Sequence, residues 1–531
     1  MRLESNMPEN DQVISFPTLP VSKPTIETIM VGKDILDLLT GSMYINPLNI
    51  FREYVQNAAD AIDDARDEGL TFSEGSGIAI SLDHKERLIR IRDNGISIPA
   101  NDFVSRLTSI GDSQKRGKML RGFRGVGRLS GLGYCQELVF RGRAEGAPKI
   151  TEVRWDGRAL REKVRDQLFV GGLSEVVQAV VTVNELPVNG FPKRFFEVEL
   201  RKVSRLRNDL LLNEDAIRNY LSQVAPVPFG EDFLFGQEIQ KRLEAHGIKA
   251  PIHIEINDGK GQIFHRAHNR IPTTGKVSEP IRDVEYVEYQ GLDGEVCAVG
   301  WIADHSYAGA IPKKFGLGGI RLRVGNIQIG DESISAEFFP ESRFAGWVIG
   351  DIHIISPKIL PNGRRDEFEP SVHYSHLQGE LTLHAKKITQ RIRERSAQRN
   401  RLRLVQQQLG VAKEWVNVVT EKPLPPLLIE VIQEMAKEKL VQAAKDLDKL
   451  KDESEDRTLA VRWISELQTA VSELLITIDS DTQNKSSNNL EKSLATALKT
   501  ILASMKSPKI AIELSIDVLN AIQKRFRHTG K

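Results

Sequence analysis

Residues 46–69 read NPLNIFREYVQNAADAIDDARDEG. The stretch has the marks of a helix: Asn46 is placed to cap its N-terminus, Pro47 suits the first helical position, and Gly69 closes the run. At about 100° per residue, Glu53, Asn57, Asp60 and Asp64 fall on one side, while Tyr54, Val55, Ala58, Ala61, Ile62 and Ala65 cluster on the other. An ordinary surface helix sets long Lys and Glu side chains opposite its apolar stripe. This one offers a column of short, acceptor-rich groups, interspersed with alanines that let another layer approach closely. Taken alone, the stretch is equally compatible with acids that merely face water.

Two later stretches decide between these readings. Strands are expected at Ile78–Leu82 and Leu88–Arg92, a hairpin around His84-Lys85, and the alternation in DHKERLIRIRDNG (83–95) puts Ile89, Ile91 and Asp93 on one strand face. A carboxylate at the end of an apolar face is costly to bury unless it meets a donor. RGFRGVGRLSGLG (121–133) is a glycine-dense turn running into a helix, and free backbone N–H groups at such a turn suit phosphate oxygens. A glycine pattern alone is weak evidence. The three stretches together, in this order, are strong evidence.

The order resembles the Bergerat-fold ATPases, the superfamily of gyrase, the heat shock protein 90 chaperones, histidine kinases and MutL, and it is most similar to the chaperones. IFREYVQNAADAI (50–62) has the family's Arg, Glu, Asn and Asp at the family's spacing. KDILDLLTGSMYINP (33–47) looks like the chaperones' first long helix, and LTSIGDSQK (107–115) with RGFRGVG (121–127) like their lid and phosphate turn. The resemblance implies an α+β chain: a mobile arm at 1–25, a Bergerat-fold α/β-sandwich ATPase domain at 26–235, an α/β middle domain at 236–395 and a helical C-terminal region at 396–531 that could dimerise. It implies ATP and Mg2+ as ligands. Glu53 would activate the attacking water, Asn57 would ligate magnesium and Asp93 would take the adenine amino group. Further nucleotide contacts would fall to Asp60, Gly95, Ser113, Gly122, Phe123, Gly125, Val126 and Gly127. Two departures bear on the adenine end. Ser97 stands at the second glycine of the family's DxGxG box, and PKRFFEVELRK (192–202) lacks the threonine that relatives carry on a late strand.

The rest of the chain sets the frame. Its 531 residues allow about three domains. Charge is balanced, 73 basic against 72 acidic residues, so composition argues for no polyanionic partner. Cys135 and Cys297 cannot build a disulfide framework, which suits a reducing cytosol, and neither a membrane span nor a signal peptide is evident; the expected location is cytoplasmic. DLLLNEDAIRNYLSQVAPVPFG (209–230) reads as a helix that stops before its prolines. PIHIEI, GIRLRVGNIQI and FAGWVIGDIHI read as strands of the second unit. Within it, ILPNGRRDEFE (359–369) resembles the chaperone loop whose arginine reaches the γ-phosphate, a role for Arg364 or Arg365. Lys313 and Lys314 are weaker candidates for the same work.

KKITQRIRERSAQRNRLR (386–403) holds eight basic residues against one acid, a solvated helix face or a nucleic-acid grip. Beyond it, Ile464, Leu467, Val471, Leu474 and Ile478 repeat at three and four, one helix of a bundle. Two functions follow from these features. The first is an ATP-driven, chaperone-like clamp that closes on a protein client, most simply as a homodimer. The second is a MutL- or MORC-like ATPase that traps DNA, in a stress or defence setting.

Overall fold

The computed structural model describes residues 46–72, 77–109, 127–166, 172–206, 208–274, 278–421, 423–450, 455–479, 490–505 and 507–529. The chain is α+β and divides into two compact units. One runs to Arg218 and takes in His253–Gln262; the other comprises Asn219–Ile252 and everything from Ile263.

The first unit opens with helix α1 (Asn49–Asp67). It starts two residues later than the cap reading, because Asn46 forms a turn instead: its Oδ1 accepts from Leu48 N and its carbonyl from Asn49 N. Gly69 ends the helix as expected, at φ +68°, with Leu70 N donating back to the Ala65 carbonyl. Strands β1 (Gly77–Asp83) and β2 (Leu88–Asp93) form the expected antiparallel hairpin, with Ile78 opposite Asp93. There follow α2 (Ala100–Thr108), a 3-10 turn at Gly127–Gly133, β3 (Glu137–Arg143), β4 (Ile150–Asp156), α3 (Gly157–Arg165), α4 (Leu173–Val180), β5 (Val181–Leu186) and β6 (Phe195–Arg201). The sheet order is β5-β4-β3-β6-β2-β1, extended by a seventh strand, β7 (His253–Ile256), parallel to β1. β7 is the PIHIEI segment expected in the second unit. Its alternation fits either sheet, and pairing with β1 assigns it to the first.

One face of this sheet is apolar: Ile80, Ile89, Ile91, Leu138, Phe140, Val153, Trp155, Val198 and Leu200 are buried. The other carries an ionic ladder. Arg141 donates to Glu152 (2.7 Å) and Glu197 (2.8 Å), Arg90 to Glu199 (2.7 Å) and Arg92 to Glu197 (2.7 Å). Burial alone would raise the Glu199 carboxyl, but hydrogen bonds from Arg141, Arg90 and Arg201 hold it down to about 2. The ladder therefore stays ionised and keeps a charged face on a sheet whose opposite face makes the core.

In the second unit, β10 (Asp283–Gln290), β11 (Val296–Asp304), β12 (Gly319–Val324), β13 (Ile327–Ile329) and β14 (Ile349–Ile354) form a sheet ordered β10-β11-β14-β12-β13; the short pair β8 (Arg270–Ile271) and β9 (Glu279–Pro280) stands apart. Helices α5 (Glu214–Val224) and α6 (Gly236–Ala245) precede it in the chain, and α5 stops before Pro226 and Pro228 as read.

α7 (Val372–Glu421) is a single helix of 50 residues. Its first half, through Ile392, closes the core under the sheet. Its second half, from Val405, joins α8 (Pro426–Asp448), α9 (Glu455–Asp479), α10 (Leu490–Ser504) and α11 (Pro508–Thr529) in one apolar cluster that includes Ile464, Leu467 and Val471. The bundle expected from the 464–478 stripe thus closes within one chain, and the expected boundary at 395/396 falls inside a continuous helix.

The basic run 386–403 lies on α7, and most of its arginines are occupied. Arg391 pairs with Glu285 (2.9 Å), Arg395 with Asp304 (2.8 Å) and Arg393 with Glu341, while Arg399 donates to the Ser306 and Tyr307 carbonyls. Positions 391, 395 and 399 are one turn apart, so they make one stripe that bolts the helix to its own sheet. A phosphate backbone would have to compete with those partners, and the structure gives the nucleic-acid reading of this run no support.

Candidate functional site

α1 is buried on nearly every side, the column of acceptors included. Glu53 and Asp60 are 6% and 1% exposed, and only Asn57, Ala61 and Asp64 in the middle of the helix keep partial access. The two-faced reading is corrected here. The segment 93–97 lies across one flank of the helix and the 3-10 turn across another, and each approaches through a glycine.

A Cβ at Gly95 would lie 2.5 Å from the Ala61 carbonyl carbon, and the next residue, Ile96, donates its N–H to the Ala61 oxygen at 2.9 Å. A Cβ at Gly127 would overlap Glu53 Oε2. Glycine is required at Gly95, where the atoms in the way are backbone, while at Gly127 the group in the way is the end of the Glu53 side chain, which a larger residue would have to displace. Glu53 also accepts from the buried guanidinium of Arg52 at 3.2 Å. The carboxylate is thus held between its neighbour and the start of the glycine turn. Asn57, one turn further along, is half-exposed, and its carboxamide makes no hydrogen bond to a described residue. An accessible amide oxygen with unused lone pairs, one helical turn from Glu53, fits a magnesium ligand.

Asp93 ends β2 on the apolar face as the alternation required. Oδ1 accepts from Gly95 N at 2.9 Å, and burial, only partly offset by that bond, pushes the carboxyl up to about 7. Its cross-strand neighbour is Phe196, whose ring lies 6.0 Å from Phe103 and 6.2 Å from Phe140. Phe196 is therefore an aromatic wall with no donor, and Asp93 keeps its second oxygen for another partner. A ring system docking beside Phe196 with an amino group directed at Asp93 is the chemistry this corner can serve.

Ser97 takes the left-handed conformation, φ +64°, that the missing glycine would have adopted. The cost is borne by the serine, whose Oγ is buried without a hydrogen-bond partner among the described residues. Ser97→Gly should raise unfolding stability by about 1 kcal/mol, the left-handed penalty less the extra entropy of an unfolded glycine. Urea unfolding of the two proteins measures it, and a loss of stability would show that the hydroxyl has a partner to satisfy.

Of the residues expected to bind nucleotide, Glu53, Asn57, Asp60, Asp93, Gly95 and Gly127 belong to this unit, with Asp60 turned into its interior. Ser113, Gly122, Phe123, Gly125 and Val126 lie outside the described residues. Arg364 and Arg365 belong to the second unit, on a hairpin tied by Asn362 N to the Glu367 carbonyl (2.8 Å) and by Glu369 N to the Leu360 carbonyl (2.7 Å). Arg365 is 7% exposed at φ +58°, its carbonyl accepting from Gly330 N, whereas Arg364 is exposed. Sequence reasoning did not find Tyr54, Arg128 or Phe196; the first announces itself only through Gly131, which packs against its hydroxyl.

Residues 47–169 match the family model described as histidine kinase-, DNA gyrase B-, and HSP90-like ATPase. Chaperone protein HtpG of Acinetobacter baylyi is 34% identical over 142 residues, covering 23% of this chain and 22% of that protein. HtpG of Yersinia pestis and HtpG of Yersinia pseudotuberculosis are each 32% identical over 142 residues, 23% of either chain. The chain thus spans less than a quarter of the length of the curated relatives it matches. The matched segment is an ATPase domain of the gyrase and heat shock protein 90 kind, and among the described residues no helix is long and apolar enough to cross a membrane.

Proposed function

We propose that this protein hydrolyses ATP and uses the cycle to open and close a chaperone-like clamp on a protein client. The observation that carries the reading is the fit of Gly127 against Glu53, which sets the last residue of the proposed phosphate-binding stretch on the carboxylate of the helix that also presents Asn57. Glu53 takes a proton from water as the water oxygen bonds to the γ-phosphorus and the bond to the bridging oxygen breaks, releasing ADP and phosphate. A magnesium ion, held by Asn57 Oδ1 and nucleotide oxygens, would supply charge neutralisation at the phosphates. Asp93 orients the purine, Phe196 walls it, and the phosphates fall to the glycine-rich stretch 122–127, of which Gly127 alone is among the described residues. Catalysis of this kind is positioning plus charge stabilisation. Release of phosphate from Mg-ATP by the purified chain, against the Glu53 variant taken up in the Discussion, tests the reading.

The finer parts of the proposal are an ATPase domain reaching to about residue 235, a middle domain, a C-terminal helical bundle and a pairing of two copies, all in the cytoplasm. The arginine that joins the phosphates on closure is Arg364, because Arg365 is committed to its hairpin by burial and by its left-handed backbone. Arg364→Ala should lower turnover ~10-fold or more at nearly unchanged nucleotide affinity, a modest share of what such an arginine supplies. Arg365→Ala should act mainly by lowering the unfolding midpoint. Steady-state kinetics beside thermal unfolding separates the two, and a loss of no more than about threefold with Arg364→Ala returns the role to Lys313 and Lys314.

A further inference from the structure

We propose that Tyr54 and Arg128 form a brace that positions the glycine turn against Glu53, so that the Tyr54 hydroxyl governs turnover without touching nucleotide. The inference rests on the ATPase reading above. Tyr54 follows Glu53 on α1 and is buried. Its hydroxyl accepts from Gly131 N at 2.9 Å and donates to the Arg128 carbonyl at 3.2 Å, so its proton and one lone pair hold two points of the 3-10 turn. The fit is mutual: a Cβ at Gly131 would lie 2.5 Å from that hydroxyl. Glu53 and Tyr54 thus seat Gly127 and Gly131, each side chain filling the space a Cβ would need.

Arg128 works in the other direction. Its Nη1 donates to the Arg106 carbonyl and its Nη2 to the Ser109 carbonyl (3.1 Å), at the C-terminal end of α2. Those carbonyls have no partner within the helix, and a cation there is favoured by the helix dipole. One residue therefore has its backbone fixed by the helix that carries Glu53 and its side chain fixed on the end of α2. Burial raises the Tyr54 phenol well above its ordinary range, so the hydroxyl keeps its proton and remains a donor. Without it, Arg128 loses its anchor on α1 and Gly127, the adjacent residue, is no longer pinned at the Glu53 carboxylate. An error of that kind acts on the attacking geometry more than on ground-state binding.

Tyr54→Phe keeps the ring and removes both hydrogen bonds. Single-turnover hydrolysis of Mg-ATP should fall ~10-fold or more, while nucleotide affinity stays within about threefold and the thermal midpoint within about 5 °C. Arg128→Gln, which leaves the backbone carbonyl in place and withdraws the guanidinium from α2, should show the same split and decides the matter if Tyr54→Phe does not fold. Turnover within twofold of wild type, or parallel loss of affinity and turnover, in a folded variant overturns the brace. The ATPase reading fails separately: it falls if wild-type protein does not hydrolyse Mg-ATP. Hydrolysis that Glu53→Ala abolishes and both brace variants leave intact removes the brace alone.

Discussion

Glu53→Ala should leave ATP binding near its wild-type value and lower single-turnover hydrolysis by ~100-fold or more, the scale on which a positioned general base acts. The separation is expected because the carboxylate faces Gly127, the last residue of the proposed phosphate-binding stretch, whereas the groups proposed to hold adenine belong to β2 and β6. Two features of the site complicate a bare truncation. Arg52, itself buried, donates to Glu53 at 3.2 Å, and Gly127 packs against Oε2. Alanine therefore unsettles a buried guanidinium and opens space under the turn, either of which could reduce activity indirectly. Glu53→Gln answers this, since the amide oxygen can still accept from Arg52 and the volume is kept while basicity is lost. Both variants should bind and neither should turn over. If glutamine restores hydrolysis to within a few-fold of wild type, or if binding and turnover fall together in both, Glu53 is a structural residue and the base lies elsewhere.

The parts of this site that could be read in the sequence are those written in local periodicity. Alternation in 78–93 gives the hairpin, its register and the placing of Asp93 beside Ile89 and Ile91, because successive strand residues must point to opposite faces. The helix at 49–67 follows from its 3.6-residue pattern and from Gly69. What the pattern cannot give is the layer that covers a face. The acids of α1 look solvated on a helical wheel, yet Asp60 is buried, because 93–97 and the 3-10 turn come in through Gly95 and Gly127. The path at Ser97 was legible only as a question, since a serine forced left-handed and a serine that diverts the chain have the same spelling. The arginines of 386–403 mislead for a related reason. Composition registers their charge but not Glu285, Asp304 and the carbonyls at 306–307, which come from more than eighty residues away and neutralise it.

Asp93→Asn should reduce nucleotide affinity by on the order of 100-fold or more, the penalty of turning a matched buried hydrogen bond into a mismatched one. One oxygen of Asp93 accepts from Gly95 N, and an asparagine will keep that bond with its own oxygen. Its NH2 group then replaces the free oxygen, and a donor confronts the adenine amino group where an acceptor is needed. Phe196 offers no hydroxyl or water site that might relay a rescue. The same carboxylate makes binding depend on pH. Burial holds Asp93 near 7 in the free protein, and only the ionised form is the full acceptor, so affinity should rise with pH and one proton should leave on binding. Between pH 6 and pH 8 the gain is about tenfold for a group titrating there, provided the nucleotide is saturated with magnesium so that its own phosphate does not titrate in the window. The stability linkage has the opposite sign. The folded pKa lies above the ordinary 3.8, so the contribution of protonated Asp93 to folding is present at low pH and is lost as pH rises through 7. Asparagine imitates the protonated form, and Asp93→Asn should be at least as stable as wild type at pH 8. Calorimetric titration in buffers of differing ionisation enthalpy, alongside unfolding curves at pH 6 and 8, reads all of these quantities together. Unchanged affinity in a stable Asp93→Asn protein removes Asp93 from the purine site. A loss of binding accompanied by loss of stability at pH 8 makes it a residue of the fold instead.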